Sequence, residues 1–311
     1  MVKKILQGIL ITGLVMVAVI FAFAAARFGL EIGKPEMAAP AQMSLVELGS
    51  TQSLTVMPLY EFDLTDDRLS GGHGVAYQIT TDQSNLLLDF GYNETNTYPS
   101  PLEDNMNLLG VSISDFDTIV LSHDHPDHVG SMGNWLSNTF SVGRQADDLR
   151  GMAVYVPVKM EHPTAQLTVV DQPAKIAEGV ATLGPMYFDF SFPFNVIKKW
   201  HYEQPLVVNV EGVGLILITG CGHPGVEQMA ARAEQIFGQP VVGMIGGLHG
   251  VGLAPDEVAA DIAYIKALNP VVVAVSPHDS LPEQVEQYGN AFGSVYQYLS
   301  LGETISLGNP K

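Results

Sequence analysis

The sequence predicts an α/β sandwich, sheets covered by helices, preceded by one N-terminal hydrophobic helix. Three observations carry this: short apolar runs without helical period in the first half, alternation of strand-like and helix-like segments in the second, and an unbroken apolar run at the start. Composition agrees. The 311 residues suit one large domain or two average ones, and 47% hydrophobic with 15% charged residues is too apolar for a disordered chain.

Lys3 and Lys4 precede residues 5–26, whose only polar interruptions are Gln7 and Thr12. At a rise of about 1.5 Å per residue this run covers roughly 33 Å, enough for a hydrocarbon core of about 30 Å. It reads as a membrane anchor or as a signal peptide cleaved near Ala24 or Ala26. Its length exceeds the roughly 7–15 residues usual for a signal core, which favours the anchor. Because the lysines stay inside, either reading expects the rest of the chain outside the cytoplasm. The domain is then membrane-anchored and extracytoplasmic, or secreted or periplasmic if residues 1–26 are removed. Residues 27–52 carry Pro35 and Pro40 without clear period and read as a tether, leaving 53–311 as one domain.

Within that domain residues 75–80 and 85–90 alternate around the polar segment 81–84, which predicts a hairpin. Residues 116–121 (FDTIVL) form a third apolar run. Residues 151–200 read as β-rich and irregular, because Pro157, Pro163, Pro173, Pro185 and Pro193 interrupt any long helix. From there strands at 213–219, 241–245 and 271–275 alternate with helices at 224–237, 255–268 and 282–299, with a last strand at 304–307. Pro224 sits at a favourable first-turn position, and Pro255-Asp256-Glu257 opens the next helix.

Charge and cysteine content exclude several functions. A net charge of -19 repels phosphate backbones, so no nucleic-acid partner is expected. Cys221 is the only cysteine, so there is no internal disulfide and no CxxC site. No P-loop, dinucleotide fingerprint or nucleophilic triad is evident. A transition metal must therefore be held almost entirely by histidine and carboxylate.

The informative stretch is Ser122-His123-Asp124-His125-Pro126-Asp127-His128, an HxHxDH pattern at the end of a predicted buried strand. With 9 histidines and at most 33 aspartates in the chain, chance supplies it about once in a thousand such sequences. In extended backbone His123 and His125 point the same way and can grip one metal, whereas Asp127 and His128 lie where the chain turns and can face a second. Imidazole with carboxylate suits zinc, manganese or iron better than calcium or magnesium. His223, His249 and His278 each follow a predicted strand, at the rim where ligands of α/β sheets gather. His73, in Gly71-Gly72-His73-Gly74, either lines the mouth of the site and meets substrate or shapes a turn. His162 reads as a surface residue and His201, beside Trp200, as a packing one.

These segments resemble the metallo-β-lactamase fold superfamily of metal-dependent hydrolases. Within it the chain is similar to the branch named for dihydropterin–ribofuranosylaminobenzene-phosphate synthases, through HGVAYQI (73–79), LLDFG (87–91), HxHxDH, YEQPLVV (202–208), LITGCGHPGV (217–226), IGGLH (245–249) and Pro277-His278. The resemblance implies an αββα sandwich with one or two metals between the sheets. His123 and His125 would hold the first, with His223 as third ligand through the branch's GCxH pattern. Asp127 and His128 would hold the second, with His278, and with Cys221 and His249 as further candidate ligands. Cys221 stands where other members carry a bridging aspartate, and is either a thiolate ligand or an inert buried thiol. His278 is followed by Asp279-Ser280 where the branch has Cys-Thr-Gly.

The expected function is hydrolysis of an ester, phosphoester or related bond of a small molecule, with two divalent ions, zinc first, and Asp127 orienting the nucleophile. Two other readings share the residues. One is a mononuclear-iron thiol oxygenase; the flavin-linked di-iron relatives usually carry Glu where this chain has His125. The other is a non-catalytic extracytoplasmic metal- or ligand-binding protein. The branch's named synthase reaction does not suit a tethered external enzyme. Substrate and oligomeric state are not encoded in any motif.

Overall fold

The computed structural model describes residues 39–143, 146–189, 198 and 201–309. The hydrophobic run 5–26 lies outside them, and among the described residues no helix is long and apolar enough to cross a membrane. The chain divides into two compact units. The one carrying the histidine cluster comprises residues 39–188 and 202–311; the other comprises 1–38 and 189–201, of which only Asp189, Lys198 and His201 are described.

Two sheets form the larger unit. Strands β1 (Ser53–Tyr60), β2 (Ala76–Thr81), β3 (Asn85–Leu88), β4 (Thr118–Val120), β5 (Ala153–Val156), β6 (Gln166–Val169) and β15 (Ile305–Gly308) make the first, in the order β15-β1-β2-β3-β4-β5-β6. Strands β7 (Ala174–Ala177), β8 (Val180–Thr182), β11 (Leu206–Val210), β12 (Gly214–Thr219), β13 (Val241–Gly246) and β14 (Val272–Val275) make the second, in the order β14-β13-β12-β11-β8-β7. Between β8 and β11 in the chain lie β9 (Met186–Phe188) and β10 (His201–Glu203), which pair as a two-stranded sheet. The predicted hairpin is the antiparallel pair β2–β3, with Tyr77 opposite Leu88.

The run GLILIT in β12 shows why the chain stacks into layers. Ile216 and Ile218 face a core shared with Val56, Ile79, Leu86 and Leu88 of the first sheet. Leu215 and Leu217 face the opposite way, against helices α4 (Val226–Phe237), α5 (Pro255–Ala267) and α6 (Pro282–Phe292). A strand buried on both faces needs apolar residues at every position, so it reads as continuous rather than alternating. Burying each such side chain is worth about 1.5–3 kcal/mol, which fixes the register of the layers.

Three features depart from the expectations. The last helix ends at Phe292 rather than at residue 299, because Gly293 turns the backbone to φ +52° and Tyr296 then bridges Val273 at the sheet edge. Residues 45–48 of the expected tether form a short helix, α1 (Leu45–Leu48), capped by Ser44, and its Leu48 joins the core. Helix α2 (Pro101–Leu109) packs on β1 and was not anticipated, although Ser100, Pro101 and Glu103 spell a capping box with proline in the first turn. A short helix, α3 (Met132–Ser137), follows the histidine cluster.

Candidate metal centre

Parallel pairing brings the reactive residues to one end of both sheets. Strands β3 and β4 run parallel, and so do β12, β13 and β14, so their C-terminal ends align. Asp89 follows β3, the cluster 122–128 follows β4, and Cys221 with His223, His249 and His278 follow β12, β13 and β14 in turn. Two glycines permit the approach of these loops. A Cβ on Gly220 would lie 2.2 Å from Ser122 Oγ. A Cβ on Gly74, at φ +90°, would lie 1.9 Å from the carbonyl oxygen of Asp127.

The donor atoms fall into two main groups. His123, His125 and His223 each offer an atom within 4.8 Å of the others, and so do Asp127, His128, Cys221 and His278. In the first group the rings of His123 and His125 are 4.5 Å apart and each lies 4.9 Å from His223. The His223 ring is stacked on Phe188 at 4.1 Å. In the second, His128 Nε2 lies 3.0 Å and His278 Nε2 3.3 Å from Cys221 Sγ, and Asp127 Oδ2 lies 3.7 Å from His128 Nε2.

Two carboxylate–serine–histidine relays orient the imidazoles, one following strands of the first sheet and one joining the two sheets. Ser122 Oγ donates its single hydrogen to Asp89 Oδ2 at 2.5 Å, so His123 Nδ1–H, 2.9 Å from Ser122 Oγ, must be the donor to that hydroxyl oxygen. That tautomer leaves a lone pair on His123 Nε2, which is buried with no hydrogen-bond partner among the described residues. Likewise Ser276 Oγ donates to Glu61 Oε2 at 2.6 Å and accepts from His278 Nδ1 at 2.5 Å, freeing His278 Nε2 toward Cys221. Asp89 also accepts from His128 Nδ1 at 2.7 Å. With Asp89 Oδ2 already bound to Ser122 and His128, the third donor group, Asp89 with His123 and His128, is an orienting network. Such carboxylate partners fix ring orientation and raise ligand basicity.

Electrostatics favour the ligating form at the first group. Burial, and then the neighbouring imidazoles, hold His123 and His223 well below the usual histidine range, hence neutral. Burial acts the same way on His278. At His128 burial opposes protonation, but Asp127 and Asp89 outweigh it and raise the imidazole to about 9. Burial raises the Cys221 thiol well above its ordinary value, with Asp127 and Asp279 adding to it. Glu203 is raised to about 7 by burial, against the backbone N–H groups of Gly222 and His223 that it accepts at 2.9 and 2.8 Å. The unpartnered Nε2 of His123 and a donor set of neutral imidazoles, carboxylate and thiol suit a divalent cation, so the residues fit one.

The structure brings most of the anticipated residues together in space. His123, His125 and His223 meet at one point, and Asp127, His128, Cys221 and His278 at another. His249 is the exception, lying in neither donor group. Its backbone sits at φ +48° with its N–H held by Asp279 Oδ2 at 2.9 Å, and its ring lies beside His223 at 4.2 Å. His73 lines a cavity together with His278, and its Nδ1 lies 3.3 Å from the carbonyl oxygen of His278. His162 is not a bare surface residue: its ring stacks on Phe140 at 4.9 Å and its Nδ1 accepts from the Ala165 N–H at 3.1 Å. His201 is buried. Glu61, Asp89, Ser122, Glu203 and Ser276 were not anticipated as site residues. For Asp89 and Glu203 the LLDFG and YEQP segments were a signal; for Glu61, twelve residues before the first motif segment begins at His73, there was none.

Comparison with known proteins agrees with this geometry. The family profile described as Metallo-beta-lactamase superfamily matches residues 69–225. Over 227 residues the chain is 25% identical to the 7,8-dihydropterin-6-methyl-4-(beta-D-ribofuranosyl)-aminobenzene-5'-phosphate synthase of Methanocaldococcus jannaschii, covering 63% of this chain and 77% of that protein. Among solved structures, Tm1679, a metal-dependent hydrolase of the beta-lactamase superfamily, matches with a TM-score of 0.59 at 17% identity, over 82% of this chain and all of that one. The isothiocyanate hydrolase from Delia radicum gut bacteria matches at 0.51 and 11% identity over the same shares. At these identities the two structures speak for the fold.

Proposed function

The chain belongs to the metallo-β-lactamase superfamily, and from that premise we propose that it is a hydrolase dependent on two divalent cations, acting on an ester or related acyl bond of a small molecule. The observation that carries the proposal is the pair of adjoining donor sets, His123–His125–His223 and Asp127–His128–Cys221–His278. Thiolate with imidazole favours zinc, with manganese or iron as alternatives. Cations held there supply a hydroxide nucleophile near neutral pH and Lewis-acid stabilisation of developing charge.

The protein's own groups do the rest. Asp127 is the exposed member of its set, with a side chain 27% accessible, placed to orient the attacking water and take its proton. The Asp89–Ser122–His123 and Glu61–Ser276–His278 relays hold two imidazoles in the ligating tautomer without reorganisation. Phe188 stacked on His223 shields that side from solvent.

The relative's synthase reaction is not carried over to this chain, since 25% identity over 63% of the chain does not specify a substrate. We further propose, from residues 1–26 alone, that the enzyme is tethered to a membrane with its domain outside the cytoplasm.

The test is hydrolysis of 4-nitrophenyl esters by the full chain before and after chelation. Turnover should fall below about 1% in chelator and return on adding zinc or manganese. Turnover indifferent to chelation contradicts the proposal. Recovery with iron only, with oxygen consumed, would replace it by the oxygenase reading.

A further inference from the structure

Beside the metal centre lies a cavity of about 560 Å³, within the roughly 300–1,000 Å³ typical of small-molecule sites. His278, a member of the second donor set, forms part of its wall, as does His73. The cavity therefore adjoins the second donor set through His278, the member of that set in its wall. Its far wall is the face of α6 that carries Val285 and Gly289.

The lining is apolar where a substrate would first meet it. Phe62, Val251, Leu281 and Tyr298 line it and are exposed at 45, 50, 42 and 50% respectively. Four large apolar or aromatic side chains left in water around one opening mark a surface that a ligand covers. Among the described residues the lining contains no lysine or arginine. Its charged members are Asp63, which accepts a short hydrogen bond from the Tyr298 hydroxyl, and the exposed Glu286. A phosphate or carboxylate in this space would meet two acids and no cation.

We infer that this cavity receives the uncharged, apolar part of the substrate, an aliphatic or aryl group of medium length, while the scissile carbonyl lies at the metal centre. The inference rests on the hydrolase reading and adds the substrate class to it: apolar esters or lactones, not phosphate esters. Anionic groups are rejected because nothing in the cavity neutralises them. Apolar groups are accepted because each buried methylene favours binding about fourfold.

Gly289 gives a direct handle. A Cβ there meets nothing closer than the Tyr296 ring carbons at 3.6 Å, an ordinary contact distance, and Gly289 lines the cavity, so a larger side chain is placed to occupy it. The experiment uses the metal-loaded full chain with 4-nitrophenyl acetate, hexanoate and phosphate. In parallel, calorimetry measures binding of 4-nitrophenyl hexyl ether, which cannot be hydrolysed. Expected are a kcat/KM on the order of a hundredfold higher for hexanoate than for acetate, phosphate turnover below about 1% of hexanoate, and binding of the ether. Gly289→Phe should cut the hexanoate-to-acetate ratio to below about ten and weaken ether binding while metal content holds.

A flat chain-length profile without ether binding overturns the inference yet leaves the hydrolase reading standing. Phosphate turned over faster than the esters does the same. Ether binding that Gly289→Phe weakens, with no ester hydrolysed, supports the cavity assignment and defeats the hydrolase reading instead.

Discussion

Replacing His125 by alanine is expected to lower ester turnover on the order of a thousandfold or more while the fold survives. His125 is one of three imidazoles in its donor set, so its loss leaves two ligands for a cation that needs at least three from the protein. The side chain is only 4% exposed, but its ring touches His123, His223 and Phe188 rather than either hydrophobic core. Truncation should therefore cost about 1–2 kcal/mol of stability. The check is kcat/KM on a 4-nitrophenyl ester beside the circular dichroism spectrum and urea midpoint of the same preparation. Full turnover in a folded variant would show that the histidine cluster is not the reacting centre.

Asp89→Asn should have the second largest effect, on the second cation. Asp89 is fully buried and accepts from Ser122 N at 2.7 Å, Ser122 Oγ at 2.5 Å and His128 Nδ1 at 2.7 Å. Asparagine keeps the shape and tolerates the φ of +63°, but it has one acceptor oxygen for three donors. Affinity for the second cation is expected to fall about 10–100-fold, the usual effect of losing a carboxylate behind a ligating histidine.

A pH readout separates this from simple loss of packing. A cation requires neutral His128, whose imidazole Asp127 and Asp89 raise to about 9. Affinity in the native chain should therefore rise steeply with pH below about 9, where His128 must lose its proton, and less steeply above it, where only the raised Cys221 thiol still must. Without the Asp89 charge the His128 proton is held less tightly, so the change of slope should move to lower pH. An unshifted profile in a metal titration would remove Asp89 from the relay.

How legible the site was depended on where each residue's signal lay. HxHxDH was visible because alternating histidines after a buried strand have no common structural use. His223 and His278 were reachable because each follows a strand of the clean β/α alternation, and parallel strands end on one rim. His249 met the same criterion yet lies in neither donor group, since the left-handed turn at that position and the bond from its N–H to Asp279 set its ring beside His223. Strand position fixes the neighbourhood of a side chain but not its aim. The orienting shell was harder to see. Glu61 and Ser276 are 215 residues apart, and only the stacking of the two sheets joins them behind His278. Helix α2 was missed for a different reason: its nine residues carry too short a period to stand out, and its signal is the cap that Ser100, Pro101 and Glu103 form.

The central claim, that the two donor sets hold metal, is tested most directly by elemental analysis of the full chain prepared without chelator, beside the His123→Ala/His125→Ala double variant. About two zinc or manganese ions per chain are expected, falling to about one in the variant, whose Asp127–His128–Cys221–His278 set is intact. A native chain without stoichiometric metal would contradict the account.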